Sequence, residues 1–308
     1  MYNEERKLAY IKKKEDEVSL NKYYLTDLFT NTERFEVKYG KDVCDWTTKE
    51  IISYYKYYDT CSMNTLTVKH SSLRQYTDWC VSEMLVADCQ NHFAEIDAGV
   101  LNSCINYSDL DKLVMSRDEL RIWLGKMINP VDKFMMLGIF EGLKGSYSRD
   151  ITRLRISDIE GNVVHLEDRD IAISDELKQY CMDAAYETEY YLYGASKKII
   201  KLWSADPTII YKQNIDARYE DDEHLDRSVA CRYKRIAEAF GWPTKLTYKK
   251  LMSSGKIEFI KSLMLQKGIE DPETVLREYR DTINNQYRVD VGTSIPVFLM
   301  KYKKYLVV

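Results

Sequence analysis

The stretch Leu225–Lys267 constrains this chain most, because two helical periods follow one another there with a defined stop between them. Val229, Tyr233, Ile236 and Phe240 recur at helical spacing and form one apolar stripe. At 100° per residue, Arg227 and Lys234 lie nearly opposite that stripe, with Arg232 and Arg235 on its flank. Asp226 is the expected N-cap, and Gly241 with Pro243 is the stop signal. A second helix is predicted from Thr247, carrying Lys249, Lys250, Lys256 and Lys261. Arg227–Lys267 holds ten Lys and Arg, Lys245 included, against two acids, Glu238 and Glu258. That is a local charge of +8 in a chain of net −4, which leaves −12 for the rest. A concentrated basic block in an acidic protein points to a directed polyanion contact. The plainer reading is a solvated, Lys-rich helix pair.

A length of 308 residues suggests two domains, and 45% hydrophobic with 31% charged residues describes a globular chain. No apolar run approaches the ~18 residues of a membrane span, and MYNEERKLAYIKKKEDE has no signal-peptide core. A cytoplasmic protein is expected. Cys44, Cys61, Cys80, Cys89, Cys104, Cys181 and Cys231 contain no CxxC pair. His70, His92, His165 and His224 give no HxxxH spacing, so neither metal nor cofactor is expected. Scattered thiols fit a reducing compartment. Gly-rich phosphate loops and GxSxG elbows are missing from the sequence. With 12 Gly, 5 Pro and 25 Tyr, the expected fold is mainly α with a small β-hairpin or sheet.

Residues 1–20 read as a charged lead-in helix whose Leu8, Ile11 and Val18 are too sparse for a strong face. Short helices follow over 21–107, one of them capped by Thr47 or Thr48. In SMNTLTVKHSSLRQYTDWCVSEM, Leu73, Tyr76, Cys80 and Met84 make the apolar face. Lys69, His70, Ser71, Arg74 and Gln75 make the other, with residue types that reach phosphates and base edges. Asn106–Val114 is the expected linker. Two helices parted at Asn129-Pro130 come next, the first opened by a Ser116/Glu119 capping box. A hairpin is predicted from Val163, Val164 and Leu166 to Ile171 and Ile173, joined by Glu167–Asp170. Ser174 caps a helix running toward Tyr193. Gly194–Asp216 is read as a loop with a minor Lys197, Lys198 and Lys201 cluster. The tail from Pro296 could pack on its own chain or on a neighbouring protomer.

Taken in order, SSLRQYTDW, SRDELRIWL, DITRLRISDI, RDIAISDEL and LDRSVACRYKRIAEAFGWPTKLTYKKL resemble the tyrosine recombinases, or phage integrases, over about residues 21–285. The resemblance implies a helical core-binding domain over 21–107 and an integrase catalytic-like domain over 115–308. In that family a tyrosine attacks a DNA phosphodiester while two arginines, a lysine and His or Trp side chains neutralise the developing charge. Here the first arginine position falls on Lys144 or Tyr147, the hairpin lysine has Arg169 as its nearest cation, and the His-x-x-Arg pair falls on Lys249 and Met252. The later histidine falls near Glu270, and Tyr279 is the candidate nucleophile, with Tyr287 less natural. Lost oxyanion-type donors cost about 10²–10³ each in rate, so strand transfer should be absent. Lys144, Arg149, Arg169, Lys249 and Lys250 would still keep the vicinity cationic.

The expectation is therefore a sequence-specific double-stranded DNA-binding protein, similar to the integrase-like repressors that maintain lysogeny in SPβ-type temperate phages. That resemblance also implies a small protein or peptide-dependent antirepressor as a partner. The expected DNA-binding set is Lys69, His70, Ser71, Arg74, Gln75, Lys144, Arg149, Arg169, Arg227, Arg232, Lys234, Arg235, Lys245, Lys249, Lys250 and Lys256. An active recombinase using Tyr279, or an interaction protein on a relic fold, are the competing readings.

Overall fold

The computed structural model describes residues 1–17, 22–58, 60, 62–106, 108–193, 198–216, 218–243, 246–287 and 295–307. It forms two compact units, Met1–Leu110 and Asp111–Val308. No helix among the described residues is long and apolar enough to cross a membrane.

The first unit contains α1 (Glu4–Glu17), α2 (Lys22–Tyr39), α3 (Thr48–Tyr58), α4 (Met63–Ser82) and α5 (Ala98–Ser103), with 3-10 turns at Val43–Asp45 and His92–Glu95. Its core is aromatic. Phe29 meets Tyr76 edge-on at 4.8 Å between ring centres, and Trp46 meets Tyr54 at 5.3 Å. Helix α1 is anchored more firmly than its few aliphatic residues suggest. Tyr10 and Ile11 are buried, and the fully buried Lys7 ammonium donates to Glu36 Oε1 at 2.6 Å. Glu36 also accepts from the Thr32 hydroxyl and the Val43 N–H, both at 2.9 Å. A buried carboxylate with its remaining lone pairs satisfied can hold such an ion.

The expected linker instead carries a 3-10 helix, Ser108–Leu113, with Leu113 buried. The second unit continues with α6 (Arg117–Lys126), α7 (Pro130–Glu141), α8 (Arg149–Thr152), β1 (Ile159–Glu160), β2 (Val163–His165), β3 (Asp170–Ala172) and α9 (Asp175–Tyr186). After them come β4 (Glu189–Tyr191), β5 (Ile199–Trp203), β6 (Gln213–Asn214), α10 (Asp222–Ala239), α11 (Tyr248–Lys267), α12 (Pro272–Glu278), α13 (Arg280–Tyr287) and α14 (Ile295–Tyr302). The centre is α7, buried almost all round, with α9 and α11 packed on it. At Gly255 of α11 an added Cβ would lie 1.6 Å from the Phe140 carbonyl oxygen, so only glycine permits this crossing.

The hairpin is one strand larger than expected: β1-β2-β3 is antiparallel, with Val164 opposite Ile171. A second antiparallel sheet, β4-β5-β6, replaces part of the expected Gly194–Asp216 loop. Tertiary bonds end the preceding helix at Tyr186 instead of near Tyr193. The Glu187 carboxylate accepts the Val131 N–H at 2.9 Å, and the Asn129 amide brackets the Tyr191 backbone at 2.8 and 3.0 Å. The Ser116/Glu119 capping box forms, and the Ser174 hydroxyl caps α9 by accepting the Leu177 N–H. Helix α10 starts earlier than expected. Asp221, not Asp226, is its N-cap, accepting the His224 N–H at 3.0 Å. Gly241 and Gly268, both at φ +65°, follow the ends of α10 and α11. The tail buries Leu299, Tyr302 and Leu306 within its own unit, where α14 packs on α12.

Candidate nucleic-acid interface

The basic block divides by exposure. Val229, Tyr233 and Ile236 are buried as their period requires. Arg227, Lys234, Arg235 and Lys249 are exposed, and Lys250 is half-buried. Arg227 and Lys234 pair along α10 with Glu223 and Glu238, at 3.4 and 3.7 Å. Arg232 departs from the expected flank position. It is buried, donates to the Lys212 carbonyl at 2.8 Å, and stacks over Tyr190 and Tyr211 at 4.9 Å from each ring centre. Its counter-ion is the fully buried Asp132 at 3.7 Å. Lys256 is buried too, 5.0 Å over the Phe298 ring, and burial pushes its ammonium pKa down to about 8. Neither cation is placed to meet a phosphate. Lys245 and Lys197 lie outside the described residues.

Helix α4 divides in the same way. Ser71, Arg74 and Gln75 are exposed, whereas Lys69 and His70 are core residues, against expectation. The Lys69 ammonium sits 3.4 Å above the Tyr58 ring centre and donates to the Tyr54 hydroxyl at 3.2 Å. Burial pushes Lys69 down to about 8. His70 Nδ1 pairs with the Tyr55 hydroxyl at 3.0 Å, and burial lowers its pKa, favouring the neutral ring. The five tyrosines of the 54–58 and 70–76 stretches made a polar partner available that the spacing alone could not reveal.

The turn after α7 is tightly built. Gly142 has φ +110°, and an added Cβ there would stand 2.2 Å from the Gln286 carbonyl oxygen. At Gly145, φ +61°, an added Cβ would strike Asp150 Oδ1 at 2.3 Å. Tyr147 and Ser148 are both left-handed, at φ +52° and +54°, a strained pair for residues with side chains. Ser148 donates to Asp226 Oδ1 in α10 at 2.5 Å, which holds the strained turn against that helix. Lys144 is half-buried in this turn, its backbone N–H on Asp150 Oδ2 at 3.1 Å and its ammonium 5.1 Å over the Tyr248 ring. Burial lowers its pKa; Asp226 opposes that and Lys249 adds to it. The structure thus gathers Lys144 and Lys249 around one turn. Arg169 is also nearby but buried, and Asp150 neutralises it across 2.5 Å.

Of the two tyrosines, Tyr287 is locked. It is buried, donates to the Phe140 carbonyl at 3.1 Å, and burial pushes its pKa up. Tyr279 is half-buried at the C-cap of α12, with the Lys267 ammonium 5.5 Å over its ring. Among the described residues no group of three or more His, Cys, Asp or Glu could hold a metal ion.

Two arginines absent from the expected set stand beside Arg149. A cleft of about 720 Å³ is lined by Ser146, Arg149, Arg153, Arg155, His165 and Asp222, among others. Arg149 donates through Nε and Nη2 to Asp222 Oδ2, the first at 2.7 Å. Arg153 reaches Asp222 Oδ1 through Nε at 3.3 Å and Nη2 at 3.1 Å, and Arg155 pairs with Asp206 at 3.2 Å. The i, i+4 spacing of Arg149 and Arg153 in RDITRLR was the available signal.

Residues 114–305 match the family described as "MrpR, C-terminal catalytic domain", and residues 1–82 match "MrpR, N-terminal core-binding domain". The chain is also 26% identical over 303 residues to the "SPbeta prophage-derived uncharacterized protein YopR" of Bacillus subtilis (strain 168), covering 94% of this chain and 91% of that protein. With a mainly helical two-unit fold, small sheets in the second unit and both matches in chain order, the chain belongs to the MrpR family of tyrosine-recombinase-like proteins.

Proposed function

We propose that this protein binds specific double-stranded DNA sites as a phage transcriptional repressor that maintains lysogeny, using a recombinase-derived fold without cutting strands. The reading rests on the turn after α7. The family resemblance puts a bidentate arginine at the half-buried Lys144 or the exposed Tyr147, and its His-x-x-Arg pair at Lys249 and Met252. An ammonium there is a point charge that attracts a phosphate but does not fork it, and a thioether donates nothing. The vicinity keeps cationic attraction without the donors that stabilise a pentavalent phosphate.

Ser71, Arg74 and Gln75 on α4 are the candidate base-reading face of the core-binding unit. Lys144, Arg149, Arg227, Lys234, Arg235, Lys249 and Lys250 are the candidate phosphate contacts of the other. Release of the operator would require a further partner, for which a small protein or peptide-dependent antirepressor is our proposal. Support for a DNA role comes from the core-binding domain family matched by residues 1–82.

The test is capture of phage genomic and random duplexes by the full chain, followed by sequencing, beside an adduct assay on nicked suicide duplexes. Enrichment of a discrete sequence with no adduct is expected. A covalent adduct that disappears in Tyr279→Phe would establish the recombinase reading instead, and no DNA retention at low salt would remove both.

A further inference from the structure

The cleft below the strained turn contains an arrangement that a structural salt bridge alone does not explain. Two guanidinium groups, from Arg149 and Arg153, converge on one carboxylate, Asp222, and occupy both of its oxygens. Arg153 Nη2 additionally meets the Glu220 carbonyl. The two arginine side chains remain 52% and 42% exposed and open onto the cleft. An isolated exposed pair contributes little to folding, so stability is a weak reason to cluster three charges here. Two planar forks aimed at one oxyanion are, by contrast, the geometry that recognises phosphate. Asp222 also lies in the first turn of α10, an eighteen-residue helix whose N-terminal end favours negative charge, so the carboxylate keeps a favourable field if the forks leave it.

We propose that Asp222 occupies, in the DNA-free protein, the seat of one backbone phosphate between Arg149 and Arg153, and that a duplex must displace it to bind. This inference rests on the DNA-binding reading above and adds a regulating residue to it. The other charges around the cleft are already committed or repulsive. Asp150 is held by Arg169, Asp158 accepts the Arg155 N–H, Arg155 pairs with Asp206, and Glu167 and Asp168 line the wall near His165. With Asp222 seated, each of the arginines Arg149, Arg153 and Arg155 that line this cleft already faces a carboxylate. A duplex held elsewhere on the same unit, through Lys144 and Lys249, presents its phosphate at high local concentration and can win the exchange. The carboxylate therefore weakens binding to any duplex that uses this seat, by the fraction of molecules in which the seat is open.

The experiment is a titration of the full chain with random-sequence duplex at several salt concentrations, comparing wild type, Asp222→Asn, Arg149→Ala/Arg153→Ala and the triple variant. The amide of Asp222→Asn keeps the shape and can still accept a hydrogen bond, and thermal melts check that each variant is folded. Asp222→Asn should bind random duplex about tenfold tighter, with a salt slope steeper by roughly 1, and the triple variant should lose this gain. Binding by Asp222→Asn where wild type shows none supports the proposal equally. An Asp222→Asn affinity equal to or below that of a DNA-binding wild type overturns the displaced-phosphate seat alone. A gain that persists without the two arginines also overturns it, because removal of a distant charge would then suffice. No binding by wild type or Asp222→Asn at low salt overturns it together with the DNA-binding reading.

Discussion

Replacing Arg232 separates a core cation from a phosphate contact. Asp132 is fully buried, and its Oδ2 accepts from the Asn129 amide at 3.0 Å and the Tyr193 hydroxyl at 2.8 Å. Its Oδ1 faces Arg232 Nη1 at 3.7 Å. Burial pushes the Asp132 carboxyl pKa up, and the Arg232 charge is the first influence that opposes this. Arg232→Met keeps much of the stem volume over Tyr190 and Tyr211 but strips the carboxylate of its counter-ion. Breaking a buried pair on one side costs about 3–5 kcal/mol. For a unit of this size that corresponds to a Tm lower by about 6–20 °C.

The same variant should gain a pH signature. With its folded pKa raised further, Asp132 stays protonated in the fold where the unfolded chain ionises. Stability is then retained below about pH 4 and lost as pH rises through the folded value. Adding Asp132→Asn removes the stranded charge and should restore about half the loss. The assay is thermal and urea unfolding of the single and double variants across pH, with duplex titration of whatever remains folded. The salt slope of DNA binding should match wild type. An Arg232→Met protein within about 0.5 kcal/mol of wild type, with a slope lower by about 1, would refute the assignment of Arg232 to the core.

Lys249→Ala should behave oppositely: unchanged Tm, weaker binding to all duplexes alike, and a salt slope lower by about 1. Gly255→Ala forces a Cβ to within 1.6 Å of the Phe140 oxygen, so α7 and α11 must separate. A loss of about 3 kcal/mol or more, or no soluble protein, is expected on expression and unfolding. Lys256→Met removes an ammonium whose pKa burial lowers to about 8. It should stabilise by about 1–3 kcal/mol below pH 8, a gain that shrinks toward about pH 10.4 as the wild-type fold sheds the proton first; unfolding from pH 7 to 10 measures it. Burial likewise raises the half-buried Glu187 to about 7. Between about pH 4.3 and 7 the fold holds a proton that the unfolded chain releases, so wild-type stability relative to Glu187→Gln falls with rising pH in paired melts.

Helix ends and caps were readable where one residue acts through its own backbone. Gly241 and Gly268 take φ +65°, and Ser116 and Ser174 accept N–H groups three residues on. Strand β5 was not readable, because IIKLW is as compatible with a buried helical turn as with a strand. The bonds that settle that region come from Asn129 and Glu187, brought there by the fold. Helix α1 was underrated because two of its core-facing positions are Lys7 and Tyr10, residue types that count as polar in a hydropathy pattern.

Charge was the least legible property, and the reason is geometric. Helical angle tells which side a cation leaves from but not what stands opposite. Arg232 and Arg235 share the flank of α10, yet one faces Asp132 on α7 and is buried while the other is exposed. Lys69 and Arg74 belong to one helix, and only Lys69 meets the Tyr54 and Tyr58 rings. A long aliphatic stem lets either cation serve both settings. The same limitation hid Asp222, whose importance comes from Arg149 and Arg153, about seventy positions earlier. A count of basic residues therefore overstates the charge available to a duplex, both where a cation is buried with its own counter-ion and where an acid already sits in its fork.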